Sequence, residues 1–329
     1  MPLLDPDNGP ILVTGVAGFI GANVCQALLK RGCTVVGIDN LNDYYEVALK
    51  RHRLESLHQR REFEFRELEL ADQSAVAALF SEFQFGVVIH LAAQAGVRYS
   101  LTNPNAYIQS NLVGFQNILE SCRATKPNHL VFASSSSVYG NSKEAVFSET
   151  DGTDDPVSLY AATKKSNEVM GHSYAKLYDI PMTGLRFFTV YGPAGRPDMA
   201  YFEFTRAILA GEPIRVFNNG DLMRDFTFID DIVSGVISVC EVPPTDKEIP
   251  HRLLNLGNNR PVQLGHFIET LEQLIGRKAV KEYVGMQPGD VYKTCANIDA
   301  ARALVGYQPT TLIEEGLRHF VDWYRSYYG

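Results

Sequence analysis

The sequence has little of what would tie it to a membrane, an oxidising compartment or nucleic acid. Its five cysteines, an odd number, have spacings that fit neither a disulfide framework nor a zinc site, which favours a reducing, cytoplasmic location. No apolar run approaches the length of a membrane span, and the N-terminal segment lacks the features of a signal peptide. The formal net charge of -8 argues against a basic surface for nucleic acid. We therefore expect neither a membrane nor a nucleic-acid partner.

The composition is that of an ordinary folded protein with a large core. The chain has 329 residues, of which 45% are hydrophobic and 21% charged, and these fractions are typical of globular domains. A chain of this length buries most of the surface that its unfolded form exposes. We expect one large α/β unit or two closely joined lobes, without a metal ion.

Short apolar runs alternate with amphipathic stretches through the first half of the chain. The runs predict strands at residues 10–14, 33–38, 63–68, 87–93, 129–135 and 181–188. The stretches between them predict helices at 19–31, 43–60, 73–83, 105–124 and 158–178. Such alternation predicts an α/β fold in which helices cover both faces of a doubly wound parallel sheet.

The pattern changes after Phe188. Gly and Pro cluster at 190–198, and the predicted elements that follow are shorter. No Ser/Gly-rich or charge-rich spacer separates the two parts. We therefore predict a larger domain at 1–188 and a smaller C-terminal lobe at 189–329, with part of 226–257 returning to the first domain.

A glycine-rich turn follows the first predicted strand. The segment ILVTGVAGFIG places Gly15, Gly18 and Gly21 between that strand and the next helix. Glycine lets the backbone turn tightly and approach a pyrophosphate, to which the helix N-terminus offers free N–H groups. Asp39 ends the second predicted strand, where a carboxylate accepts hydrogen bonds from an adenosine ribose and repels a 2′-phosphate. The arrangement predicts a Rossmann-type domain that binds NAD.

Other residues complete the predicted NAD site. They are Phe19, Ile20, Asn40, Asp72 and Ala92, together with Tyr160 and Lys164. Asp72 has two interpretations that the sequence leaves open, because it could contact the adenine or cap the helix that follows it.

Three residues have the pattern of a proton-transfer site. Tyr160 and Lys164 lie four residues apart and share one face of the predicted helix, while Ser135 ends the fifth strand at the carboxyl edge of the sheet. A phenol has an ordinary pKa of about 10, which a nearby ammonium and a positive nicotinamide would lower. We predict that Tyr160 removes a hydroxyl proton as hydride leaves the carbon. Lys164 would supply charge and hold the cofactor ribose, and Ser135 would hydrogen-bond the reacting oxygen.

Two polar residues near this set have a structural interpretation. His90 lies within an apolar strand, so we expect it to be hydrogen-bonded in the core rather than to act as an acid or a ligand. We expect Tyr139 to pack rather than to take part in the chemistry.

Segments along nearly the whole chain resemble the extended short-chain dehydrogenase/reductase family, in its sugar-nucleotide epimerase/dehydratase branch. In order, they are TGVAGFIG, HLAAQAGVRYS, ASSSSVYG, YAATK, RFFTVYGPAGRPDMA, RDFTFIDD and QPGDV. Several are specific to the subgroup that acts on UDP-hexuronates. The resemblance implies bound NAD, a UDP-sugar substrate and a transient 4-keto sugar, with C4 inverted between UDP-glucuronate and UDP-galacturonate. It also implies a homodimer that pairs the helices at 105–124 and 158–178 into a four-helix bundle.

The resemblance further implies roles for residues that contact the substrate. Arg224 resembles the arginine that holds the diphosphate, and Asp290 resembles the acid that accepts from the uridine ribose; a surface ion pair is the alternative for both. Further candidates for contact with the sugar or its anionic groups are Arg98, Ser136, Ser137, Thr189 and Arg196. Gln287 stands where related UDP-galactose 4-epimerases tend to carry an arginine for the diphosphate, which leaves open the cation that replaces it.

Rival activities on the same fold are distinguished by few residues. The sugar dehydratases of the family carry an Asp-Glu pair where this chain has Ser135 and Ser136. The UDP-glucuronate decarboxylases carry a distinctive acid near the serine strand, which this chain lacks. A UDP-sugar 4-epimerase of other substrate range stays open, as does a dehydrogenase that releases NADH. A non-catalytic NAD-binding protein is disfavoured, because Tyr160 and Lys164 are both present.

Overall fold

The computed structural model describes residues 2–5, 8–142, 144–285 and 292–329. The strands are β1 (Ile11–Thr14), β2 (Val35–Asp39), β3 (Phe63–Glu67), β4 (Val87–His90), β5 (His129–Ser135), β6 (Met182–Phe187), β7 (Thr189–Tyr191), β8 (Pro213–Phe217), β9 (Met223–Arg224), β10 (Phe226–Phe228), β11 (His251–Leu256), β12 (Val262–Gln263) and β13 (Val280–Val284). The helices are α1 (Phe19–Lys30), α2 (Val47–His58), α3 (Gln73–Glu82), α4 (Tyr99–Thr102), α5 (Pro104–Tyr107), α6 (Gly114–Thr125), α7 (Leu159–Tyr178), α8 (Ala200–Ala210), α9 (Ile229–Cys240), α10 (Leu264–Ile275), α11 (Asp299–Val305) and α12 (Ile313–Tyr328).

Seven parallel strands form the central sheet, in the order β11-β6-β5-β4-β1-β2-β3. Every residue of β1 and β4 is buried, as expected for strands covered on both faces. Side chains alternate between the faces, so Leu12 and Val13 of β1 pack in two different hydrophobic clusters. Helices α1, α2 and α9 pack on one face, and α3, α6 and α7 pack on the other. The predicted doubly wound α/β fold is confirmed.

The seventh strand is formed by a segment distant in sequence. After β6 the chain passes through the C-terminal lobe and returns as α9, which packs against α1, and then as β11. β11 pairs in parallel with β6, with Leu254 opposite Leu185. The first three residues of β11 are His, Arg and Leu, which are only partly buried, so this segment lacks the apolar run by which the other strands were predicted.

The C-terminal lobe contains short strands and long helices. Three two-stranded sheets, β10-β7, β12-β9 and β13-β8, lie outside the central sheet. The expectation of shorter helices was wrong, because α12 has 16 residues and α10 has 12. Both helices bury an apolar face in the lobe, where Phe320 of α12 and Phe267 of α10 are fully buried. No helix in the described part of the chain is long and apolar enough to cross a membrane.

The helix predicted at 105–124 is present, and a π-helical turn widens it in the middle. Between α5 and α6 the chain forms a π-helical turn over Ile108–Val113. Its Asn111 side chain accepts from the N–H of Gln94 at 2.8 Å and donates to the Thr163 hydroxyl of α7 at 3.0 Å. The turn therefore ties the loop after β4 to the N-terminal part of α7, at the edge of the sheet where ligands bind in such folds.

Candidate active site

A cavity of about 670 Å³ lies over the carboxyl ends of the central strands. Residues of the sheet, the glycine turn and the C-terminal lobe all line it. This volume falls within the range of small-molecule and cofactor sites. Outside the gaps in the described chain, no group of His, Cys, Asp or Glu side chains could hold a metal ion.

The glycine turn forms one end of the cavity through its backbone. Gly15 has a φ of +71°, which is unfavourable for any residue with a Cβ. A Cβ on Gly21 would overlap the carbonyl oxygen of Gly15, and one on Gly15 would meet the backbone of Ala92 at 2.8 Å. Gly18 directly precedes α1 and caps it without a side chain. The turn thus leaves the N-terminus of α1 open to an anion.

Asp39 and its neighbours line the cavity beside this turn. Its two carboxylate oxygens accept from the N–H groups of Ala17 at 3.1 Å and Leu41 at 2.9 Å. Burial raises the pKa of Asp39, while these hydrogen bonds and the charge of Lys50 lower it. Asn40 also lines the cavity and donates to Glu69 at 2.6 Å.

The remaining predicted cofactor residues divide into two groups. Phe19, Ile20 and Ala92 line the cavity. Asp72 is the N-cap of α3, where its side chain accepts from the N–H of Ala75 at 3.0 Å. It is exposed and not part of the cavity lining, so the capping interpretation describes its geometry.

Tyr160, Lys164 and Ser135 meet at the carboxyl end of β5. All three line the cavity, and the Ser135 hydroxyl, whose proximity lowers the pKa of Tyr160, donates to the Ser137 hydroxyl at 3.1 Å. Ser135 also accepts from the N–H of Ser137 at 3.2 Å. Lys164 is buried, and its Nζ donates to the carbonyl of Ala133 at 2.8 Å. The helix therefore meets the strand through side chains one turn apart, which fixes their positions relative to each other.

Arg196 joins the predicted residues near the phenol. Burial raises the pKa of Tyr160, whereas the neighbouring Ser135 hydroxyl and the positive charge of Arg196 lower it, and Asp198 raises it. Burial lowers the pKa of the Lys164 ammonium to about 8, and its Nζ donates to a backbone carbonyl. The predicted role of Lys164 beside the phenol and the cofactor stays a prediction.

A buried ion pair on α7 and β6 lies next to Lys164 and helps to hold the helix in place. Glu168 lies one turn after Lys164 and binds both Nε and Nη2 of Arg186, at 2.8 and 2.9 Å. Glu168 also accepts from the hydroxyl of Ser134 at 2.6 Å. Arg186 donates in turn to the Tyr139 hydroxyl at 2.9 Å. The network fixes α7 against β5 and β6.

The structural interpretation of the two other polar residues is confirmed. Tyr139 is buried, stacks on Phe147 and donates to Asn255 at 2.7 Å. His90 is buried and lies 2.9 Å from the Thr14 hydroxyl, and burial lowers its pKa to about 3.

The predicted substrate residues in the described chain line the other end of the cavity. Arg196 binds Asp198 through two hydrogen bonds, at 3.1 and 2.5 Å, and Asp198 accepts from the Tyr44 hydroxyl at 2.9 Å. Arg98 stacks over the ring of Phe217. The cavity lining also includes Ser136, Ser137, Thr189 and Arg224.

Arg224 donates to backbone carbonyls of its own strand and of a later segment. Its Nη1 bonds to the oxygens of Met223 at 2.9 Å and Tyr292 at 3.2 Å. Gln287 and Asp290 lie outside the described residues, so their predicted roles stay predictions.

Sequence reasoning missed several residues that shape this site. They are Asn111, Glu168, Asp198, Tyr44 and Arg53. Glu168 could have been found, because it lies four residues after Lys164 on the same helical face. The others act through contacts between segments far apart in sequence, for which a single sequence gives no signal.

Comparison with known proteins places the chain among nucleotide-sugar enzymes. The model of the NAD dependent epimerase/dehydratase family matches residues 11–257. A probable UDP-glucuronate 4-epimerase of Rhizobium meliloti is 46% identical over 96% of this chain and 97% of its own length. UDP-glucuronate 4-epimerase 1 of Arabidopsis thaliana is 50% identical over 97% of this chain and 77% of its own.

A solved structure agrees over the whole fold. UDP-glucuronic acid 4-epimerase of Bacillus cereus, in complex with UDP-glucuronic acid and NAD, superposes with a TM-score of 0.90 at 36% identity. The match covers 97% of this chain and 100% of that one.

Proposed function

The chain belongs to the NAD-dependent epimerase/dehydratase family, and from this premise we propose that it inverts C4 of UDP-glucuronate to give UDP-galacturonate, with NAD as its cofactor. The observation that carries the proposal is the meeting of Tyr160, Ser135 and Lys164 in one cavity with the glycine turn. Relatives that act on UDP-glucuronate match nearly the whole chain.

The residues present fit NAD. A Cβ on Gly15 or Gly21 would collide with neighbouring backbone, so only glycine allows the tight turn that brings the N-terminus of α1 to the cavity, where its backbone N–H groups can hold a pyrophosphate. Asp39 lines the cavity one strand further along, with its carboxylate fixed by two N–H groups. The glycine turn and Asp39 would hold NAD, which would supply reversible hydride acceptance for the oxidation and re-reduction of C4.

The chain's own residues move the proton. Tyr160 takes the proton of the 4-hydroxyl as the carbon is oxidised and gives it back when the 4-keto sugar is reduced. Ser135, which lies beside Tyr160 in the cavity lining, turns its hydroxyl from Ser137 and donates to the same sugar oxygen. Lys164 and Arg196 keep positive charge near the phenol, which favours the phenolate that must accept the proton.

The opposite end of the cavity suits an anionic sugar. The hydroxyls of Ser136, Ser137 and Thr189 line it together with the guanidinium of Arg196. These groups are donors for the hexuronate carboxylate. We assign Arg224 and Arg98 to the diphosphate, and Gln287 and Asp290 to the nucleotide as the family resemblance implies. UDP then anchors the substrate while the keto sugar turns between its two faces.

Incubation with UDP-glucuronate and NAD, followed by separation of the sugar nucleotides, tests the proposal. We expect UDP-galacturonate to appear without net NADH. UDP-xylose or a UDP-4-keto-pentose would instead identify a decarboxylase, and a stoichiometric rise in NADH would identify a dehydrogenase. Conversion of UDP-glucose with no change in UDP-glucuronate would identify a UDP-hexose, and not a UDP-hexuronate, as the substrate.

We propose the following division of labour between the two parts of the chain. Residues 1–188, with part of 226–257, form the NAD-binding domain, and 189–329 form the UDP-sugar-binding lobe. The position of β11 in the central sheet supports the return of the later segment.

We further propose a homodimer that pairs α6 and α7 of each subunit. The two helices lie side by side, and the Tyr174 hydroxyl of α7 donates to Glu120 of α6 at 2.5 Å. α7 exposes Val169 (56%) and Leu177 (68%), and such apolar side chains favour burial against a partner. Sedimentation at micromolar concentration is expected to give a dimer, and a monomer there would contradict this assembly.

A cytoplasmic location completes the proposal. All five cysteines are free and buried, which suits a reducing compartment. Expression of a fluorescent fusion in the native cell, with diffuse signal in the cytoplasm, is the expected result; signal in an oxidising compartment would contradict it.

A further inference from the structure

Arg53 is a buried arginine that joins the glycine turn to the segment before Arg196. It lies on α2, two residues after the exposed Arg51, yet only 6% of it is exposed. Burial of a charged group is unfavourable unless hydrogen bonds compensate for the lost water. The hydrogen-bond partners of Arg53 therefore show which parts of the chain it holds together.

Neutral oxygens from separate segments satisfy the guanidinium. Nη1 donates to the Ala17 carbonyl at 2.9 Å and the Tyr45 hydroxyl at 2.7 Å. Nε donates to the Ala194 carbonyl at 2.8 Å, and Nη2 donates to the Gly195 carbonyl at 2.9 Å. One rigid planar group thus fixes backbone from two segments far apart in sequence.

These segments belong to the two ligand sites. Ala17 lies within the glycine turn, and its N–H donates to Asp39. Ala194 and Gly195 directly precede Arg196, which lines the substrate end of the cavity and acts on Tyr160. If either segment moves, the guanidinium that is bonded to both will therefore displace the other.

The segment before Arg196 has a conformation that depends on its partners. Ala194 has a φ of +52°, in the left-handed region that is unfavourable for a residue with a Cβ. Its carbonyl is held by Arg53, and the N–H of Arg196 donates to the Tyr201 hydroxyl at 3.0 Å. Without Arg53, one of the two constraints on this strained segment is lost.

We propose that Arg53 is a positioning residue that couples the two ligand sites, so that bound UDP-sugar strengthens the retention of NAD and bound NAD favours UDP-sugar. The inference rests on the proposed function, since NAD and UDP-glucuronate are taken as the two ligands. Coupling of this kind acts in both directions, because the same guanidinium holds both segments.

The test compares Arg53→Gln and Arg53→Lys with wild type and with Arg51→Gln, a matched control on the exposed side of the same helix. Each holoenzyme is assayed for the rate of NAD release with and without saturating UDP-glucuronate, and for the KM for UDP-glucuronate. In wild type and Arg51→Gln we expect UDP-glucuronate to slow NAD release by about tenfold or more, a coupling of ordinary size.

In Arg53→Gln we expect the factor by which UDP-glucuronate slows NAD release to fall towards one. We expect the KM for UDP-glucuronate to rise about tenfold, which corresponds to about 1.4 kcal/mol. Arg53→Lys keeps the charge but not the planar fork, so its factor should fall between the two. A purely structural role would lower the melting temperature without removing the effect of one ligand on the other.

The coupling is overturned if Arg53→Gln, folded as judged by its melting temperature, keeps the wild-type factor and KM. If that variant does not fold, Arg53→Lys decides, and wild-type behaviour there overturns the coupling. Failure of wild type itself to bind NAD or convert UDP-glucuronate would instead overturn the proposed function, and the coupling with it.

Discussion

The two ends of the cavity are built in different ways. The wall proposed for the cofactor consists of a short glycine turn (Gly15, Gly18 and Gly21), which offers its backbone, and the carboxylate of Asp39 on the next strand. The substrate wall, formed by Arg98, Thr189, Arg196 and Arg224, uses side chains from segments spread over more than a hundred residues. A substitution in the glycine turn can only add atoms where the backbone is closely packed. A substitution in the substrate wall removes or changes one functional group and leaves the others in place.

The largest expected effect comes from the chemistry between the two walls. Tyr160→Phe removes the acid-base group, so we expect turnover to fall by about 10³-fold, within the range for general acid–base catalysis. Both walls stay intact, so the variant should retain NAD and bind UDP-glucuronate. Turnover of UDP-glucuronate and NAD content per subunit are the two measurements.

Tyr178→Phe, near the far end of α7, is the matched control and should keep full turnover. Unchanged activity in Tyr160→Phe would remove the proton-transfer assignment. Loss of NAD from that variant would mean that the phenol also forms part of the cofactor wall.

An intermediate effect is expected from filling the cofactor wall. In Gly21→Ala the new Cβ overlaps the Gly15 carbonyl oxygen, so α1 must move away from the turn. We expect NAD to bind at least about 10-fold more weakly, which is about 1.4 kcal/mol. Titration of the NAD-depleted protein with NAD measures the change.

Gly265→Ala, on α10 where a Cβ meets nothing within 4 Å, should leave NAD affinity unchanged. If Gly21→Ala bound NAD as tightly as this control, the cofactor wall would not depend on the close approach described above.

The smallest effect is expected from one charge of the substrate wall. Asp198 raises the pKa of Tyr160 and Arg196 lowers it. Replacing the carboxylate in Asp198→Asn removes the raising charge, so the pKa of Tyr160 falls and the acid limb of the kcat/KM profile moves to lower pH, by less than about one unit. The opposite change, Arg196→Gln, should move that limb to higher pH.

The pH profiles of both variants with UDP-glucuronate are the measurement. A shift of the same sign in both variants would show that these charges do not act on the phenol as described. It would also weaken the distinction between the two walls, because charges of the substrate wall would then have no effect on the pKa of Tyr160.

The same contrast explains what the sequence could predict. The glycine turn, Asp39 and the Tyr160–Lys164 pair are local patterns, and the structure places them where those patterns indicate. Five of the six strands of the first half were found because each is an apolar run, whereas β3 (FEFRE) alternates apolar and charged residues. β11 (HRLLNL) was missed because it begins with His and Arg and shows neither pattern.

What the sequence could not predict depends on contacts between distant segments. Arg53 looks like one of several charged residues on α2 until the carbonyl oxygens of Ala194 and Gly195 are seen beside it. Asp198 is likewise uninformative until Tyr44 reaches it from the loop after β2. The charge of Arg196 beside Tyr160 also becomes visible only in the structure, because 35 residues separate the two in sequence.

The return of the chain as β11 has a consequence for how the protein can be divided. Because β11 covers the outer edge of β6, a fragment that ends at Phe188 would leave a fully buried strand with unpaired N–H and C=O groups at the margin. Exposed apolar edges of this kind invite pairing between molecules. The nucleotide-binding half is therefore not a detachable module, and shortened versions should be expected to precipitate unless they carry this late segment grafted back onto them.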